Sequence, residues 1–130
     1  MQALPDQAKY TAPSADIRPQ LARIRIGFLV RLEDRCAEID RLVNTIDGSG
    51  LQPHLIDGLA EHAHKIAGVA STLGFGRLGS LAGQADMAIA ALQSQNDWIA
   101  TRALVETLLD EIEDVLEAQA PDQDRYASSA

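Results

Sequence analysis

Glu61-His62-Ala63-His64-Lys65-Ile66-Ala67-Gly68-Val69-Ala70-Ser71-Thr72-Leu73-Gly74-Phe75-Gly76-Arg77-Leu78 is the stretch on which the fold turns. At about 100° per residue, Leu55, Leu59, Ala63, Ile66, Ala70 and Leu73 fall on one side of a helix. The stripe predicts a helix from about Pro53 to Leu73, with Gly74 as its left-handed cap. A new helix then runs from Gly76 or Arg77 to Gln93. Its alanines, Ala82, Ala85, Ala88, Ala90 and Ala91, allow close backbone approach to a neighbour.

Working outward, Leu21, Ile24, Phe28, Leu32, Cys36, Ile39, Leu42, Val43 and Ile46 recur mostly at steps of three or four. That is one long amphipathic helix from about Asp16, with Pro19 tolerated only in its first turn. Asp47-Gly48-Ser49-Gly50, followed by Pro53, breaks it. Downstream, Ser94-Gln95-Asn96-Asp97 precedes a fourth helix, Trp98 to about Ala118, with Asn96 or Asp97 as its cap. Its stripe is Ile99, Leu104, Leu108, Ile112, Val115 and Leu116, and Pro121 ends it. No stretch alternates as a strand does. The expectation is an all-α, antiparallel up-down four-helix bundle over residues 16–120, between a loose arm (1–15) and a frayed tail (121–130).

The composition narrows the function. The 130 residues carry a formal charge of −8, which argues against nucleic acid as a partner. Hydrophobic residues reach 46% with only 4% aromatic, so the core is aliphatic. Cys36 is the one cysteine, which precludes an internal disulfide and a thiolate zinc cluster. There is no apolar run long enough to span a bilayer, and Met1 to Ala15 lacks the features of a signal peptide. A cytoplasmic monomer is expected.

On the second helix, His64 lies about 150° from the centre of the apolar stripe and points to water, whereas His62 lies about 50° from it and is half-buried. Two residues apart on a helix, they face about 200° from each other and cannot chelate one ion. No metal site is expected. Gly68 sits one turn beyond His64 on the exposed face, where glycine costs about 0.5–1 kcal/mol relative to alanine. It is either a weak spot tolerated by packing or an opening that lets another molecule approach the imidazole. A neutral imidazole is a nucleophile near pH 7. No phosphate loop or other ATP-site motif occurs, so self-phosphorylation is not expected.

His64-Lys65-Ile66-Ala67-Gly68, then Ala70, Leu73-Gly74-Phe75 and Leu78, resembles the signature of histidine-containing phosphotransfer (HPt) domains. The resemblance implies a four-helix bundle that relays phosphoryl groups in bacterial two-component phosphorelays. His64 is then the phospho-acceptor, through its ring nitrogen remote from the backbone. Receiver domains and a sensor histidine kinase are the implied partners, with Mg²⁺ on the receiver and no cofactor on this chain. Asp86 falls where the family has Glu or Gln, so it either orients His64, through a water if its shorter side chain requires one, or is solvated surface. Many members carry a lysine three residues after the histidine; Ala67 stands there instead. Lys65 or Arg77 is left to neutralise phosphate, and together they form a basic island on an acidic bundle, although Lys65 also reads as a plain solvated residue. Gly68, Ser71, Thr72, Arg77 and Gly79, with Leu81, are expected to meet the partner. The competing readings are a non-phosphorylated adaptor or inhibitor of a kinase or receiver, and a chemotaxis-type phospho-accepting module standing alone.

Overall fold

The structure, a computed structural model, describes residues 17–119, so the expected arm and tail lie outside the described residues. Four helices follow in chain order: α1 (Arg18–Ser49), α2 (Pro53–Ala70), α3 (Gly76–Ala90) and α4 (Gln95–Ala118). Each helix packs on its chain neighbours, and α4 returns against α1 to close the bundle. Pro19 and Pro53 both lie at helix starts, where their missing N–H has no intrahelical partner to lose.

Glycine sets two of the corners. Gly50 (φ 91°) ends α1 and donates its N–H to Ile46 O at 2.8 Å. Gly74 (φ 93°) turns the chain between α2 and α3, and Phe75 N–H reaches back to Ala70 O at 2.8 Å. The ends differ from the periodic expectation by a turn or less. Helix α2 stops at Ala70, because residues 71–74 wind more tightly: Leu73 N–H is shared between Val69 O and Ala70 O, both at 3.2 Å. Helix α3 stops at Ala90, short of Gln93. Helix α4 starts at Gln95, not Trp98, with extended Ser94 at the cap position in place of Asn96 or Asp97. Asp97 instead reaches back from the first turn and accepts the N–H of Gln93 at 3.1 Å.

The core is mainly aliphatic: Leu32, Ile39, Ile46, Leu59, Ile66, Leu78, Leu108 and Ile112 are fully buried, and Phe28, Phe75 and Trp98 are its aromatic members. At 32 residues, α1 is far longer than α2 with 18, so its first turns run past the bundle. Leu21 and Ile24, expected on the core stripe, are therefore exposed, and burial begins at Phe28. Ile99 is also exposed, and its neighbour Trp98 takes the inward position instead. Trp98 Nε1–H donates to Asp47 Oδ1 at 2.9 Å, while Arg102 Nε donates to Asp47 Oδ2 at 2.8 Å. These bonds tie the end of α1 to the start of α4 and so set the face that α4 presents. Burial pushes the Asp47 carboxyl up, but the bonds from Trp98 and Arg102 outweigh it and hold the group below its ordinary value.

Candidate functional site

Helix α2 turns Leu55, Leu59, Ala63, Ile66 and Ala70 into the core, which forces His64 outward. Its side chain is 78% exposed. Small residues draw α3 in beside it. Gly79 is buried, and a Cβ there would overlap Ser71 Oγ and stand 3.2 Å from the Ser71 backbone nitrogen. Ala82 and Ala85 continue the contact, both fully buried. Seven residues after Gly79, Asp86 meets His64: Asp86 Oδ2 lies 3.1 Å from His64 Nδ1.

This contact is direct, so the shorter carboxylate needs no bridging water. Close approach of the helices compensates for the missing methylene. An ionised carboxylate only accepts, so Nδ1 carries the proton and donates it, and in the neutral imidazole Nε2 is then the nitrogen with the lone pair. Beyond the helix's own adjoining backbone, no described residue lies within 4 Å of where a Cβ on Gly68 would stand, so no contact among the described residues requires glycine there.

A protein-family model for the Hpt domain matches residues 23–118. The chain belongs to the Hpt-domain family. Hpt domains pass phosphoryl groups through a histidine in phosphorelays, working with receiver domains and kinases and without kinase activity of their own. No curated protein and no solved structure matches the chain.

In this Hpt domain the expected basic island is already paired. Lys65 Nζ sits 2.9 Å from Glu61 Oε1 along α2, and the hydrogen bond from Lys65 holds the Glu61 carboxyl below its ordinary value. Arg77 crosses to α4, with Nε 3.0 Å from Glu111 Oε1. Of the residues expected to face a partner, Ser71, Thr72 and Arg77 are exposed and Leu81 is half-buried. Gly79 is not available, because it is the packing contact between α2 and α3.

His62 is half-buried, as its angle on the helix indicates, and accepts a hydrogen bond on Nδ1 from Arg35 of α1 at 3.0 Å. Burial first, and then the Arg35 charge, hold its pKa below the ordinary histidine value. The two histidines thus serve different neighbours, His62 facing α1 and His64 facing α3. Among the described residues no cluster of three or more His, Cys, Asp or Glu could hold a metal ion. Nor is any helix there long and apolar enough to cross a membrane.

The sequence reading missed Arg31 and Arg35. With Phe28 they form the α1 wall of a groove of about 310 Å³ whose other wall is His64, Lys65, Gly68 and Val69 of α2. The available signal was their four-residue spacing, which puts both on one helix face beside the core positions Phe28 and Leu32.

Proposed function

We propose that this Hpt domain is a phosphorelay intermediate in which His64 accepts a phosphoryl group from a receiver aspartate or a kinase and passes it to another receiver's aspartate. The observation that carries the reading is His64 itself: Nδ1 is held by Asp86 at 3.1 Å, and the ring is left open to solvent beside a glycine with clear space above it. In transfer from an acyl phosphate, the Nε2 lone pair attacks phosphorus, the aspartyl O–P bond breaks and the carboxylate leaves. The Nδ1 proton stays on the ring, and Asp86 stabilises the positive charge that the ring acquires. Onward transfer reverses these bonds. The receiver supplies Mg²⁺, and this chain supplies an aimed nucleophile. Lys65, Ser71, Thr72 and Arg77 border the docking face, and the expected setting is the bacterial cytoplasm, where receivers and kinases meet.

The test is to mix the protein with an active kinase and a phosphorylated receiver and to look for acid-labile, base-stable phosphate. Wild type gains it and His64→Gln does not. Label on His64→Gln, or none on wild type, overturns the assignment.

A further inference from the structure

A phosphoryl group on His64 carries close to two negative charges, and a cation within reach is needed to hold it. Lys65 and Arg77 already have the carboxylates of Glu61 and Glu111. Arg35, in the groove beside His64, donates to His62. Arg31 differs. It lines the same groove as His64 and Gly68, and its guanidinium makes no hydrogen bond or ion pair with any described residue.

Arg31 also has a resting place. Its guanidinium lies back over Gly27, one turn earlier on α1, with Nη1 and Nη2 3.5 and 3.6 Å from where a Cβ on that glycine would stand. No ion pair or hydrogen bond with a described residue holds the side chain there, so moving it breaks none among them. Helix α2 lies between α1 and α3, so Asp86 approaches His64 from one side and the groove opens on the other.

We propose that Arg31, from α1, is the residue that binds the phosphoryl group on His64, swinging from its place over Gly27 to a two-point contact with the phosphoryl oxygens. This inference rests on His64 being the acceptor. It assigns the cationic role to a helix distant in sequence from the histidine, and it removes that role from Lys65 and Arg77.

The test uses phosphoramidate as a donor, so that no receiver takes part: the donor P–N bond breaks, an Nε2–P bond forms and ammonia leaves. The pH titration of the phosphoryl group is then followed by ³¹P NMR. A nearby cation favours the dianion, so Arg31→Gln moves the titration midpoint up by about half a pH unit, roughly a threefold change in proton affinity. Arg31→Lys recovers part of the shift, while Lys65→Gln and Arg77→Gln leave the midpoint where it is. An unchanged midpoint in Arg31→Gln, or a larger move in Arg35→Gln, Lys65→Gln or Arg77→Gln, overturns the assignment while leaving His64 as acceptor. A wild-type protein that acquires no phosphohistidine signal overturns both.

Discussion

Gly68→Ala puts one methyl group on the exposed face of α2, a single turn beyond His64. Because no described residue beyond the helix's own adjoining backbone lies within 4 Å of the new carbon, the substitution meets no clash among them. What remains is backbone entropy, and alanine in a helix interior is favoured over glycine by about 0.8–1 kcal/mol. For a bundle of this size that corresponds to a rise of about 4–5 °C in Tm, read by calorimetry or circular dichroism. Transfer should move the other way. In-line phosphoryl transfer needs donor and acceptor atoms in near-contact, and a misplacement of about 1 Å costs on the order of 100-fold. A methyl group under the docking receiver is therefore expected to slow phosphoryl transfer from the receiver at least tenfold, in single-turnover mixing. Phosphorylation by a small donor, which has no surface to seat, should stay near the wild-type rate. A more stable variant with unchanged receiver transfer would refute access as the reason for the glycine. A destabilised variant would show that the space above Gly68 is not open.

Asp86→Ala should slow receiver transfer about tenfold while changing stability by no more than about 0.5 kcal/mol, as for most surface substitutions; the ring ¹⁵N shifts of His64 report whether the tautomer preference is lost with it, and unchanged transfer removes the carboxylate's role. Gly79→Ala should lose about 1 kcal/mol in urea melts, since overpacking against Ser71 outweighs the gain in helix propensity, and a stabilisation like that of Gly68→Ala would contradict the packing account. The lowered pKa of Asp47 makes wild type more stable than Asp47→Asn above about pH 4, an advantage that fades as acid protonates the folded carboxylate; a gap between the two that stays constant from pH 6 to pH 3 excludes the charge as its source.

What could be read before the structure was whatever a single helix determines. The exposure of His64, the half-burial of His62 and the left-handed Gly74 all follow from local period and local backbone chemistry. The features that went unread depend on two helices at once. Arg77 looks free until Glu111 of α4 is seen to lie within reach. Gly79 resembles open surface until Ser71 packs onto it. Ile99 and Trp98 are adjacent in the chain, and the periodic stripe admits either. The choice is made by Asp47, 51 residues before Trp98, which accepts the indole N–H and so rotates Ile99 outward.

The same dependence on pairs of helices explains how a rigid bundle carries a precise site. His64 and Asp86 are 22 residues apart, and no loop holds both. Their 3.1 Å contact is set by the spacing of α2 and α3, and that spacing is set by Gly79 against Ser71 and by buried Ala82 and Ala85. Packed interiors resist small displacements, so the core fixes the backbones of α2 and α3, and the exposed Asp86 contact then orients the imidazole. The short carboxylate and the small residues beneath it therefore form one arrangement. Gly68 stands apart from that arrangement, since no described residue beyond its own helix backbone lies within 4 Å of its open face. The inner small residues set the spacing of the helices, and the Gly68→Ala variant asks whether the outer one keeps the histidine reachable.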